Sequence, residues 1–274
     1  MKRAKICLET RNISKNFITE EGKIINALAK TTIDICENDF ICIVGPSGCG
    51  KSTFLRIIAG LETATTGQIY YCGKELKEAT REIGMVFQQY SLLPWRTVKD
   101  NITLGLEFRR ESKAVKEKVA QEFLEMIDMV DFKNSYPFEL SGGMQQRVAI
   151  ARALANDPRV VLMDEPFGAL DAHTRILLQR ELLKIWQKNR KTILFVTHSV
   201  DEAIYLADKI IIMSRRPGEI KEILDVNMPR PRERSNVLYG RMAEYILASL
   251  EEEIFNGEKA RANAGNVECP AVGL

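Results

Sequence analysis

Gly45-Pro46-Ser47-Gly48-Cys49-Gly50-Lys51-Ser52-Thr53 stands between the apolar run Phe40-Ile41-Cys42-Ile43-Val44 and the helix-like run Phe54-Leu55-Arg56-Ile57-Ile58-Ala59. The pattern G-x-x-x-x-G-K-[S/T] between a strand and a helix is a phosphate-binding P-loop. Glycines let backbone N–H groups curl around a phosphate without Cβ clashes. The helix predicted to start at Lys51 aims its positive dipole end at the anion. Lys51 is expected to reach the β/γ-phosphates as a point charge, and Ser52 to offer its hydroxyl to Mg²⁺.

Outward from this loop the chain reads as an ordinary globular protein. Its 274 residues suffice for one large domain or two small ones. Hydrophobic residues are 45% and charged residues 28%, and the net charge of +2 does not point to a nucleic-acid partner. No apolar run approaches the roughly 20 residues of a membrane span. No apolar signal segment follows the basic Met1-Lys2-Arg3-Ala4-Lys5. Cys7, Cys36, Cys42, Cys49, Cys72 and Cys269 show no CxxC spacing. Several lie in strand-like runs, so buried free thiols in a reducing compartment are expected.

Residues 5–9 and 31–36 read as strands, with Glu21-Gly22 turning between them. Spacing alone makes Phe17 a core aromatic. Further strands are predicted at residues 67–71 and 83–87, the second closed by Gln88-Gln89. Residues 97–157 then turn helical. Val115, Val119, Phe123, Leu124 and Ile127 fall at helical spacing and predict one apolar face. Ser141 is a good N-cap for a helix ending at Asp157-Pro158. Buried parallel strands return at residues 160–163 and 192–196, with a helix over 171–189 between them and Ile176, Leu182, Leu183 and Trp186 inward. A helix over 200–206 and a strand over 209–213 follow. Beyond Arg215 the expectations are a strand over 220–226, a solvated basic loop carrying Arg230, Arg232 and Arg234, a helix over 236–255 and a disordered tail over 257–274.

Chemistry gathers at strand ends. Four apolar residues lead into Asp164-Glu165, so this acid pair is not a solvated strand end. Asp164 fits a carboxylate that holds Mg²⁺ through its waters, and Glu165 a base that orients the attacking water. His198 occupies the matching end of the next strand, where functional groups of α/β sheets collect.

Leu140-Ser141-Gly142-Gly143-Met144-Gln145-Gln146-Arg147 resembles the signature motif of ATP-binding cassette (ABC) ATPases and lies, as there, between the two Walker motifs. Phe17 matches that family's A-loop aromatic, Gln88 its Q-loop, Gly168-Ala169-Leu170-Asp171 its D-loop and His198 its switch histidine. Leu92-Leu93-Pro94-Trp95, the run from Glu165 to Asp171, Arg216-Pro217-Gly218 and Pro229-Arg230-Pro231-Arg232 resemble the nitrate/sulfonate/taurine importer subfamily. Two positions depart from the broad pattern. Gly168 stands where many members have Ser, and Ser199 where an acid is common.

The resemblance implies an α/β fold: a P-loop NTPase core with a parallel sheet, an N-terminal antiparallel β subdomain and an inserted α-helical subdomain. It implies an ATPase domain over 1–230, with its core at 1–88 and 159–230 and its helical insert at 89–158, followed by an extension over 231–274. The ATP site it implies comprises Phe17, Gly45, Pro46, Ser47, Gly48, Cys49, Gly50, Lys51, Ser52 and Thr53, joined by Ser141, Gly143 and Gln145 of a second copy. Glu165, His198 and Gln88 carry hydrolysis in this scheme, and Ser52, Gln88 and Asp164 serve Mg²⁺. The implied partners are a second cassette, membrane permease subunits contacted near Gln88–Trp95 and, indirectly, a substrate-binding protein. No nucleic acid is expected, and the implied location is the cytoplasmic face of the membrane. An ABC ATPase acting on nucleic acid or ribosomes is the alternative. Those carry coiled coils, zinc inserts or a second cassette, which this sequence lacks.

Overall fold

The structure, a computed structural model, describes residues 5–265 apart from residue 169. Two long strands, β1 (Ile6–Ile18) and β2 (Ile24–Cys36), pair antiparallel across the Glu21-Gly22 turn. They outrun the short strands expected from sequence, because polar stretches such as Lys15-Asn16 pair through the backbone with no apolar signal. Strand β3 (Phe40–Val44) leads into helix α1 (Lys51–Ile58). Strands β4 (Thr66–Tyr71) and β5 (Lys74–Glu75) complete a four-stranded sheet of order β2-β1-β4-β5. Strand β6 (Ile83–Val86) opens the path to the helices α2 (Val98–Ile102), α3 (Leu104–Phe108), α4 (Lys113–Met126) and α5 (Gly142–Ala155). Then come β7 (Val160–Asp164), α6 (Ala172–Asn189), β8 (Thr192–Val196), α7 (Val200–Leu206), β9 (Lys209–Met213), β10 (Ile220–Asp225) and α8 (Val237–Gly265).

The second sheet has six strands in the order β10-β9-β3-β8-β7-β6, all parallel except the β10 edge. Strands β3, β7 and β8 are buried at every position, as a sheet covered on both faces requires. Alternation then sorts their side chains. Ile41, Ile43, Leu162 and Leu194 face α1 and the antiparallel sheet, whereas Phe40, Cys42, Val161 and Phe195 face α5, α6 and α7. A separate cluster built on Val98, Ile102, Leu124 and Val148 holds the helical insert together. Register is the fact that matters for function. Val86 pairs with Met163, Asp164 with Val196, and Val196 with Ile43, so the C-terminal ends of β6, β7, β8 and β3 share one edge.

Several expectations need correction. Phe17 is 38% exposed, with the Lys15 ammonium 4.9 Å from its ring centre, and is no core residue. Val115 is exposed and Ile176 only half-buried; Ala120 and Leu124 form the inner face of α4. The five described cysteines are free, yet Cys72 is exposed at a turn; Cys269 lies outside the described residues. The tail expected to be disordered from 257 continues α8 through Gly265, and residues 266–274 lie outside the described residues. Among the described residues no helix is long and apolar enough to cross a membrane.

The basic run is not a solvated loop. Arg232 is 6% exposed and donates to the carbonyls of Ile204, Ala207, Val226 and Met228. Burial, then the neighbouring Arg230, push its pKa down to about 10. Arg230 pairs with Asp208, donates to Leu206 O and lies 4.6 Å over the Trp186 ring. Periodicity could not show this, because the Ile204, Leu206 and Ala207 carbonyls that take these cations gather at the C-terminal end of α7, where cations are favoured. Arg232→Leu is expected to strand several of these carbonyls and cost about 3 kcal/mol. Thermal denaturation should show a Tm lower by about 6 °C or more.

Candidate active site

The shared edge carries the site. Just beyond β3, the loop from Gly45 wraps back on itself before α1. Gly50 caps α1 at φ 107°, and a Cβ there would meet Ala27 O at 2.6 Å, so only glycine fits. A Cβ on Gly45 would meet Met213 O at 2.9 Å. Lys51 is buried, and its ammonium donates to Gly45 O at 2.8 Å and Pro46 O at 2.9 Å. Burial pushes the Cys49 thiol up in pKa against the nearby Lys51 charge, leaving Cys49 protonated filler between loop and sheet. Ser47 and Gly48 are exposed, while Pro46, Ser52 and Thr53 are half-buried.

Ser52 Oγ donates to Asp164 Oδ1 at 2.8 Å. Asp164 is 2% exposed, and burial raises its pKa against the opposing Ser52 bond. This pair fits Mg²⁺. Both donors are hard oxygens, and Mg²⁺ is commonly held by one or two protein groups plus phosphate and water. The described residues contain no group of three or more His, Cys, Asp and Glu that would enclose a metal.

Glu165 follows at φ 45°, a left-handed backbone that a non-glycine residue rarely adopts. That turn lifts its carboxylate off the strand axis. Glu165 Oε2 accepts from Gln88 Nε2 at 3.3 Å and lies 3.4 Å from His198 Nδ1. Two residues, from beyond the ends of the strands that flank β7, thus converge on one oxygen of Glu165. Gln88, assigned to the metal by the resemblance, bonds Glu165 and makes no hydrogen bond to Ser52 or Asp164. Gly168 leaves room beside Glu165: a Cβ there would meet Glu165 O at 3.4 Å, an ordinary contact. Ser199 caps α7 by accepting from Glu202 N at 3.3 Å, work that Asp does equally well.

Ser141, Gly143 and Gln145 sit at the start of α5, in the helical insert. Ser141 is exposed and caps the helix by accepting from Met144 N; Gly143 is buried, and a Cβ there would meet Thr174 Cγ2 at 2.8 Å. Gln145 donates to Leu140 O. No hydrogen bond joins these three to residues 45–53 among the described residues, so the chain by itself does not unite them with its own P-loop.

Sequence reasoning missed two features. The first is the extent of the groove expected along residues 92–95: it has a volume of about 560 Å³ and is lined by Met85, Phe87, Leu93, Leu104, Phe108 and Arg152, with Phe108 82% exposed. Of the run 92–95, Leu93 lines it, whereas Trp95 stands 71% exposed outside it. The second is the pairing of the buried Glu202 with the half-buried Arg175. Glu202 accepts from Thr197 Oγ1 at 2.5 Å, and Arg175 Nε lies 3.6 Å from its other oxygen. The S-x-x-E spacing from Ser199 was visible, but it signals a cap, not this pairing.

Known proteins place the chain. A family model described as ABC transporter matches residues 28–168. An uncharacterized ABC transporter ATP-binding protein of Methanocaldococcus jannaschii is 50% identical over 257 residues, covering 94% of this chain and 96% of the relative. An aliphatic sulfonates import ATP-binding protein of Bacillus cereus is 44% identical over 239 residues, 87% of this chain and 94% of the relative. Among solved structures, an ATP-binding cassette described as a dimer in a post-hydrolysis state bound to ADP and Pi superposes with a TM-score of 0.72. It is 36% identical and covers 81% of this chain and all of its own. With the P-loop, the Ser52–Asp164 pair and the helical insert on one scaffold, and with relatives matching over nearly their whole length, this chain belongs to the ABC transporter family as an ATP-binding subunit.

Proposed function

We propose that this chain binds and hydrolyses ATP to drive uptake of a small anion, of the sulfonate, nitrate or taurine kind, through partner membrane subunits. The observation that carries the hydrolytic part is the carboxylate of Glu165, held between Gln88 and His198 one residue beyond the Asp164–Ser52 pair. In this reading residues 45–53 bind the triphosphate, and Glu165 takes the proton of the attacking water. His198 and Gln88 hold Glu165 and the water in line. Ser52 and Asp164 would hold Mg²⁺, which neutralises the phosphate charge as it develops. The ATPase domain spans 1–230, with its helical insert at 89–158. Two copies, or two related cassettes, assemble so that Ser141, Gly143 and Gln145 of one close the nucleotide site of the other. Phe17, exposed on the antiparallel sheet, stacks on the adenine. The dimeric cassette among the structural neighbours supports the pairing.

The importer assignment draws on the sulfonate-import relative and on the groove beside Leu93. A membrane subunit would lay a short helix into that groove, placing this chain on the cytoplasmic face of the membrane. A substrate-binding protein would then select the cargo. Trp95, exposed two residues beyond Leu93 and outside the groove, would extend that contact, and Trp95→Ala tests this part of it. Trp residues anchor many interfaces, and losing one can cost about 2 kcal/mol or more. Because Trp95 is 71% exposed, the variant is expected to fold and bind ATP as the parent does while its yield on a tagged permease drops about tenfold or more. Loss of ATP binding by the free variant would mean that Trp95 supports the fold instead.

A further inference from the structure

We infer that the C-terminal segment is a working part of the hydrolytic site, with Arg234 the positioning residue that fixes helix α7, and with it His198, against α6. The inference rests on the reading of Glu165 and His198 as the hydrolytic pair.

Helix α7 has seven residues and begins two positions after His198. A helix so short has little stability of its own, so tertiary contacts set where it lies. The C-terminal segment supplies them at both ends. At the far end, Arg230 and Arg232 take the carbonyls of Ile204, Leu206 and Ala207. At the near end, Arg234 grips Asp201 with a two-pronged bond, Nε to Oδ1 at 2.7 Å and Nη2 to Oδ2 at 2.8 Å. The buried Tyr239 adds its hydroxyl to Asp201 Oδ1 at 2.7 Å and Asp201 O at 2.8 Å.

Arg234 does more than hold α7. Its Nη2 also donates to Gln179 Oε1 at 2.8 Å, on α6, where Gln179 is 1% exposed. Its guanidinium lies 4.4 Å over the Tyr205 ring. Helix α6 is the element that the loop after Glu165 enters, and Arg175 ties that loop down by donating to Leu170 O at 2.9 Å. Arg175 also faces Glu202, which holds Thr197; Thr197 in turn accepts from Ser199 N at 3.0 Å, so His198 is braced on both sides. Arg234 therefore spans the two helices whose lead-in segments carry Glu165 and His198, 3.4 Å apart.

The pair is not chiefly a stability device. The side chains of Arg234 and Asp201 are 32% and 45% exposed, and exposed ion pairs contribute about 0–1 kcal/mol. Geometry is different, because a misplacement of about 1 Å in a reacting group can lower a rate about 100-fold. Lys does not replace Arg here, since a point-like ammonium lacks the planar fork that meets both oxygens of Asp201 and reaches Gln179 at once.

The test measures steady-state ATP hydrolysis by the full chain, with thermal melting alongside. Arg234→Ala is expected to lower kcat about tenfold or more and leave KM for ATP within about twofold, while remaining folded at the assay temperature with a Tm lowered by a few °C because Gln179 Oε1 loses its donor. Arg234→Lys should stay impaired. A loss in kcat at unchanged KM by a variant that remains folded is what a merely structural loss would not give. His198→Ala is the control. If it is inactive while Arg234→Ala turns over at the wild-type rate, Arg234 has no positioning role and the inference falls alone. If His198→Ala itself keeps wild-type turnover, the hydrolytic reading fails and the inference with it.

Discussion

Glu165→Gln is expected to bind ATP with unchanged affinity and to lose at least about 100-fold in phosphate release, the scale of a missing general base. The exchange keeps the side chain's volume, and the amide oxygen can still accept from Gln88, now 3.3 Å away. What it removes is the capacity to take a proton. Asp164 cannot substitute, because it is buried against Ser52 and its carboxylate is committed to that bond. With hydrolysis blocked, ATP should accumulate in the closed assembly, so size-exclusion chromatography with ATP should show a dimer that the wild type forms only transiently. The left-handed backbone at Glu165 sharpens the expectation. A strained residue that serves only the fold would be replaced with little effect on turnover, and wild-type hydrolysis by the Gln variant would remove Glu165 from the role of base.

Ser141→Arg is the second large effect. Ser141 is exposed at the start of α5 and has no hydrogen bond to the P-loop of its own chain. An added guanidinium should therefore spare nucleotide binding by the monomer and abolish hydrolysis in the pair. Lys51→Ala should fail for the opposite reason, in its own pocket, where the buried ammonium belongs to the loop. Mixing the two inactive proteins is the decisive measurement. A mixed pair joins the sound P-loop of the Ser141→Arg copy to the sound signature of the Lys51→Ala copy. Half the pairs in an equal mixture are mixed and each holds one intact site, so up to about a quarter of wild-type turnover should return if the sites act independently. No recovery at any ratio would argue that each chain completes its own site.

The sequence alone carried the P-loop, the acid pair at the end of β7, the histidine at the end of β8 and the fold class that joins them. These are local: the glycines answer a backbone need, and apolar runs of strand length end where chemistry begins. The signature residues were equally legible as a cap before an amphipathic helix. Tertiary structure decided what depends on partners distant in the chain. Parallel register brought Gln88, Glu165 and His198 to one oxygen, and no spacing encodes that convergence. It turned Arg230, Arg232 and Arg234, which read as solvated charge, into clamps on α7, because their acceptors on α6 and α7 lie some 20 to 55 residues away. It also exposed Phe17, since the antiparallel sheet turns that position away from the core. A side chain's type is written in the sequence, but whether a cation meets water, lipid or a buried helix end is set only when the chain closes around it.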